Sequence, residues 1–168
     1  GFDPLLKPLE AKRRLGYLPE HPPPYDEMTV RAYLASSAEL KGVQRKAISA
    51  HVDEVMELTG LCDMRSRLLG HLSKGYRQRA GFAQAMCGDP DVLVLDEPTV
   101  GLDPKQITEI RQLIRTLAKG RTIVFSSHIL SEVQQLCSRV IILNEGRVVR
   151  SLDPEERDGE TVRLRLQA

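Results

Sequence analysis

Tryptophan is absent from these 168 residues, and aromatic side chains make up only 4% of them. That scarcity weakens any reading in which bases stack on the protein. No sign of charge dominates either. Lys and Arg number 24 against 23 Asp and Glu, a formal charge of +1, so no global field calls for nucleic acid or an anionic membrane. Long apolar runs are missing too. The longest purely aliphatic ones, Val92–Leu95 and residues 140–143, hold four residues each, whereas a membrane-spanning helix needs about 18 or more. The opening GFDPLLKP lacks the basic-then-apolar layout of a signal peptide. Cys62, Cys87 and Cys137 are an odd set with no C-x-x-C, which predicts reduced, semi-buried thiols in a reducing compartment. His21, His51, His71 and His128 form no H-x-x-x-H group, so the spacing of a zinc site is missing. What remains is a chain 41% hydrophobic and 28% charged, with the length of one globular domain.

Six of the ten prolines fall in the first 24 residues, and Pro22-Pro23-Pro24 favours an extended loop. Within that stretch only residues 14–18 read as a strand. Thr29 is a plausible N-cap for a helix to about Leu40, ended by Gly42. Residues 43–58 repeat the helical period, and Gly60 stops them. Ser73 opens another helix to about Cys87. From there the pattern alternates. Val92–Leu95 has no polar alternation and reads as a strand buried on both faces. Asp103-Pro104 is a cap followed by proline at the first helical position. A strand at Thr122–Phe125, a helix over 129–137 and a strand at 140–143 follow, and Asn144-Glu145-Gly146 turns the chain into residues 147–150. Strand, helix, strand, helix, strand predicts a parallel α/β layer, with an all-helical insert over 28–88. Residues 155–159 read as a charged linker and 161–166 as a half-buried strand.

Three segments carry chemistry. In DVLVLDEPTVGLDP (91–104), Asp96 and Glu97 follow an apolar strand, and ligands of open α/β sheets bind outside such carboxyl ends. Asp96 suits a hydrated Mg²⁺, which takes hard oxygen ligands, and Glu97 suits polarising an attacking water. In LSKGYRQR (72–79), Ser73 and Gly75 lie at a helix start, where free N–H groups favour a phosphate. Gly75 leaves room for close approach. Between Asp63 and Asp89 there are five basic residues and no acid. In IVFSSH (123–128), His128 follows a strand and could contact a phosphate or hold a water.

In this order and spacing the segments resemble the ATP-binding-cassette (ABC) ATPases. LSKGYRQR matches the signature motif, departing from its usual L-S-G-G-Q at Lys74 and Tyr76. VLVLDEP matches Walker B with its catalytic glutamate, GLDP (101–104) the D-loop, and His128 the switch histidine. RLGYLPEHPPPYDEMTV (14–30) resembles the Q-loop stretch, with Glu20 where glutamine is usual. A carboxylate there could reach Mg²⁺ but would add a negative charge. The resemblance covers roughly residues 9–150 and is closest in wording to ATP-binding subunits of bacterial exporters whose membrane part is a separate chain. It implies a P-loop NTPase-like parallel layer, here incomplete, with the helical insert. It divides the chain into a partial core with the Q-loop (1–27), a helical subdomain ending in the signature helix (28–88), a core with Walker B, D-loop and switch histidine (89–150), and a linker opening a C-terminal extension (151–168).

The resemblance also implies ATP and Mg²⁺ as cofactors, hydrolysis between two head-to-tail ATP-binding subunits, a transmembrane permease chain as partner, no nucleic acid, and a peripheral place on the cytoplasmic face of the cell membrane. Asp96 would act on Mg²⁺, Glu97 as base and His128 on the γ-phosphate. Ser73 and Gly75 would meet the γ-phosphate held by the opposite subunit, and Asp103 would couple the sites. No glycine in the sequence is followed by lysine, so a G-x-x-x-x-G-K-[ST] phosphate loop is absent from it. In the family that loop precedes the Q-loop, so the chain is expected to be a fragment, inactive alone. Two alternatives stay open. One is a non-catalytic module that kept the fold. The other is a DNA-repair type ATPase, disfavoured because only 52 residues, without heptads, lie between Glu20 and Ser73.

Overall fold

The computed structural model describes residues 2–3, 5–22 and 25–152. They form two compact units, divided after His128. The first contains helix α1 (Pro8–Arg13), strand β1 (Leu15–Leu18), helices α2 (Val30–Leu40), α3 (Ile48–Thr59) and α4 (Lys74–Met86), strand β2 (Val92–Leu95), helix α5 (Pro104–Leu117) and strand β3 (Thr122–Phe125). The strands form one parallel sheet in the order β1-β2-β3, in register, with Leu18, Leu95 and Phe125 level at its carboxyl edge.

Local chemistry starts the helices as the sequence suggests. Thr29 accepts the Ala32 N–H (3.2 Å) at the start of α2, and Ser73 caps α4. Asp103 and Gln106 form a capping box on α5, with Pro104 behind the cap. Gly60 takes the left-handed conformation that ends α3 (φ +68°).

The core explains how the insert and the sheet hold together. Val30, Leu34, Ala38, Val52, Val55, Met56 and Leu61 are buried where α2, α3 and α4 pack. Phe82, Ala83 and Ala85 carry that core along α4 to β1. Gly16 makes the approach possible. A Cβ there would lie 2.1 Å from the Ala85 carbonyl oxygen and 2.6 Å from Leu93, so helix backbone meets strand backbone with nothing between. Each fully buried side chain of this size, such as Leu18, Leu93 or Leu95, contributes about 1.5–3 kcal/mol.

Four expectations change. β2 is central but not buried on both faces. Leu93 and Leu95 lie fully buried on the α4 side, whereas Val92 and Val94 opposite them are half-buried. The first 24 residues hold a helix, α1, which the proline count hid. Its Pro8 sits in the first turn, where the missing N–H costs nothing. The helix expected over 43–58 is a 3₁₀ turn at Arg45–Ala47 followed by α3. Finally, the strand near 140 belongs to a two-stranded antiparallel sheet rather than showing parallel pairing. In the second unit, helix α6 (Leu130–Leu136) precedes β4 (Val140–Asn144), which pairs antiparallel with β5 (Arg147–Leu152). The linker and strand expected over 155–166 lie outside the described residues.

The cysteines are not alike. Cys62 is exposed, Cys137 half-buried and Cys87 buried. Burial pushes the Cys87 thiol up to about 12, which makes it an unreactive core residue.

Candidate active site

Because β1, β2 and β3 are in register, the residues that follow them emerge at one edge. The ladder runs one step further there. Asp96 N–H donates to the Leu18 carbonyl at 2.8 Å, and Ser126 N–H to the Leu95 carbonyl at 3.0 Å. This sets Ser126 beside Asp96. Its hydroxyl donates to Asp96 Oδ1 at 2.6 Å and accepts the Glu97 N–H at 3.0 Å.

Glu97 turns the chain sharply, with φ +44°. Such a conformation costs a non-glycine residue about 1–3 kcal/mol and persists only where neighbours impose it. Here they do. Ser126 holds its N–H, Val100 N–H donates to its carbonyl at 3.2 Å, and Gln78 Nε2 of α4 donates to the next carbonyl, that of Pro98, at 2.8 Å. The Glu97 carboxylate meets His128 Nδ1 at 3.0 Å. The Glu97 side chain is 20% exposed and that of His128 71%. A sheltered carboxylate and a solvent-facing imidazole thus share one contact, an arrangement that can take a proton from a water and hold the acceptor in place.

A second cluster gathers at two helix starts. Ser73 Oγ accepts the Tyr76 N–H at 3.4 Å. Gly75 is buried, and a Cβ there would fall 2.7 Å from Gln106 Nε2. The room at Gly75 is therefore filled by Gln106, so packing accounts for this glycine independently of any phosphate. Gln106 N–H donates to Asp103 Oδ1 at 2.9 Å. Arg79 joins α4 to its neighbours through Glu109 (2.7 Å) and the Thr59 carbonyl (3.1 Å). Ser73, Gly75, Tyr76, Arg79, Gln106 and Glu109 help line a cleft of about 320 Å³.

The predicted residues thus separate into Asp96, Glu97 and His128 at the sheet edge and Ser73, Gly75 and Asp103 at the helix starts, with the Gln78–Pro98 hydrogen bond running between the two regions. Glu20 lies two residues past β1, exposed, with its carboxylate 4.0 Å from His21 Nδ1. Sequence reasoning missed Ser126, Gln78 and Gln106. Ser126 carried one usable signal, its place immediately after a strand.

Among the described residues no three His, Cys, Asp or Glu side chains are grouped to hold a metal. Asp96 with the Ser126 hydroxyl offers oxygen donors only. That fits Mg²⁺, which keeps most of its shell from water and phosphate around one or two carboxylates. Among the described residues no helix is long and apolar enough to cross a membrane.

Comparison with known proteins agrees with this architecture. Residues 7–100 match the family described as ABC transporter, and the chain belongs to that family. It is 43% identical over 145 residues to the bacitracin transport ATP-binding protein BcrA of Bacillus licheniformis, covering 85% of this chain and 46% of that protein. It is 39% identical over 151 residues to the ABC transporter ATP-binding protein NatA of Bacillus subtilis, covering 89% of this chain and 61% of that one. A solved structure of an ATP-binding subunit of an ABC transporter superposes with a TM-score of 0.78 at 28% identity, over 93% of this chain and 65% of the other. CbiO1 of Clostridium perfringens, described as part of the transporter complex cbiONQ, gives 0.75 at 28% identity, over 86% of this chain and 59% of the other. The fold is that of the ABC ATPase domains, a P-loop NTPase fold. The chain spans about half the length of the curated relatives it matches.

Proposed function

We propose that the protein containing this chain binds ATP with Mg²⁺, hydrolyses it, and so powers movement of a substrate across a membrane through a separate permease chain. The observation that carries the reading is the contact series at the sheet edge, from Asp96 through Ser126 and the Glu97 turn to His128. It places a sheltered carboxylate beside an oxygen-only donor set at the carboxyl ends of parallel strands. ABC relatives named for ATP binding and transport support it.

Asp96 would hold Mg²⁺, with Glu20 a second candidate across the same edge. The ion's chemistry there is to neutralise charge on the phosphate oxygens. Glu97 accepts the proton of the attacking water, because its carboxylate is sheltered and its backbone fixed. His128 holds that carboxylate through Nδ1 and presents the rest of its ring to solvent, where a γ-phosphate would lie. Ser73 and the start of α4 would meet a phosphate held on a second, head-to-tail copy, since a helix N-terminus favours an anion. Gly75 lets Gln106 close against α4, so Asp103 is tied to the signature helix through the α5 cap. The helical insert and the Glu20 loop would meet the permease at the cytoplasmic face of the cell membrane. The four-part division into partial core, helical insert, core and extension read from the sequence belongs to the same proposal.

The test is Glu97→Gln in the full-length protein. Removing the base while keeping its shape should lower ATP turnover by about 10²–10⁴-fold and leave ATP binding intact. Unchanged turnover would remove Glu97 from its role.

A further inference from the structure

The Ser126 side chain touches both Asp96 and Glu97, the two residues that follow β2. Its hydroxyl has a single proton, and the partners dictate where it goes. The Glu97 amide can only donate, so the oxygen accepts from it (3.0 Å). An ionised carboxylate can only accept, so the proton points to Asp96 Oδ1 (2.6 Å). One small group thereby commits one oxygen of Asp96, leaving the other for a cation, and pins the amide of a residue in the left-handed region. Gln78 of α4 holds the Pro98 carbonyl, one residue beyond Glu97. Ser126 can do this because β3 is level with β2, which carries its N–H to the Leu95 carbonyl.

We propose that Ser126 is a positioning residue of the hydrolytic centre, which sets the orientation of the Asp96 carboxylate and the direction in which Glu97 leaves the sheet. The proposal rests on the hydrolytic reading of this edge. An alanine would leave the Glu97 N–H without its acceptor and free the Asp96 carboxylate to rotate. Groups that orient a metal ligand in this way change metal affinity or activity by about 10–100-fold when removed. A threonine keeps the hydroxyl and should substitute for serine, whereas a cysteine keeps the size with a much weaker donor.

The experiment uses the full-length protein with Ser126→Ala, Ser126→Thr and Ser126→Cys, and with Glu97→Gln alongside. Turnover is measured across a range of ATP concentrations that reaches saturation. Separately, binding of a fluorescent ATP analogue is followed as Mg²⁺ is titrated, which needs no hydrolysis. Ser126→Ala should lower kcat by about 10–100-fold with little change in KM, and raise the Mg²⁺ needed for analogue binding by about tenfold. Ser126→Thr should restore both. If the alanine variant melts at assay temperature, the cysteine variant carries the same expectation. Wild-type kcat and Mg²⁺ dependence in a folded Ala or Cys variant, with Glu97→Gln inactive, would overturn the role of Ser126 and leave the hydrolytic reading standing. A threonine variant as impaired as alanine would overturn it too. Full turnover by Glu97→Gln would overturn the hydrolytic reading instead, and the Mg²⁺ titration would still decide whether Ser126 orients Asp96.

Discussion

One face of the parallel sheet and one edge of it are built from opposite materials. On the face, α4 lies against β1 and β2 through Gly16, Leu18, Leu93 and Leu95, all buried, with backbone meeting backbone at Gly16 and Ala85. At the carboxyl edge, Ser126 and His128 are exposed, Asp96 and Glu97 are half-buried, and side-chain hydrogen bonds hold them. The face is dry and close-packed, so any added volume is felt as strain. The edge is wet, so loss of a group there changes chemistry more than stability. The two are not independent, because α4 also supplies Gln78 to the Pro98 carbonyl. A rigid face is what allows an exposed edge to keep a strained residue in place.

The sharpest way to break this contrast is Gly16→Ala. The new methyl would sit 2.1 Å from a backbone oxygen that cannot swing aside. The expected loss is about 3 kcal/mol of stability, read as a lower urea midpoint. A midpoint equal to wild type would mean that α4 can lift from the strand, and that the face is softer than it looks. His128→Ala tests the edge. Its side chain is 71% exposed, so stability should move by less than about 0.5 kcal/mol. ATP turnover in the full-length protein should fall by about 10²-fold, through misplacement of Glu97. A stability loss equal to that of Gly16→Ala would erase the distinction.

The smallest effect concerns a surface pair that belongs to neither region. Arg31 of α2 and Asp53 of α3 form an ion pair that ties the first two insert helices. The Arg31 guanidinium, chiefly by its hydrogen bond, holds the Asp53 carboxyl below its ordinary range. A carboxyl with a depressed folded-state pKa adds stability above its unfolded value, about 3.9, and that stability disappears as pH falls through the lower folded value. Urea midpoints compared between about pH 6 and pH 3 should therefore fall less steeply for Arg31→Met than for wild type. Parallel acid limbs would show that the pair adds nothing measurable.

What could be read from the chain alone follows the range of the forces involved. Thr29, Ser73 and Asp103 cap helices as expected because each cap is satisfied within three residues of chain. Val92–Leu95 is a strand with the expected bounds because four apolar residues between turn signals leave little choice. Asp96, Glu97 and His128 stood out because a motif records residue types and spacing, and the spacing follows strand and helix lengths. Helix α1 escaped notice because the many prolines around it outweighed its acidic first turn, its basic last turn and a permitted Pro8. The antiparallel pairing of β4 with β5 follows the Asn144-Glu145-Gly146 turn, a local signal, whereas strand–helix alternation suggested a parallel strand there.

The sequence by itself determined most of the elements, the caps of α2, α4 and α5, the family, and the residue types that stand after β2 and β3. Only the tertiary structure decided that Ser126 lies level with Asp96, that Gln78 reaches Pro98 twenty residues away, and that Gln106 fills the space over Gly75. Caps and turns are closed by neighbours along the chain. Register and helix-on-sheet contact are set by packing between segments far apart in sequence, where a change of one residue in register would turn every side chain to the other face.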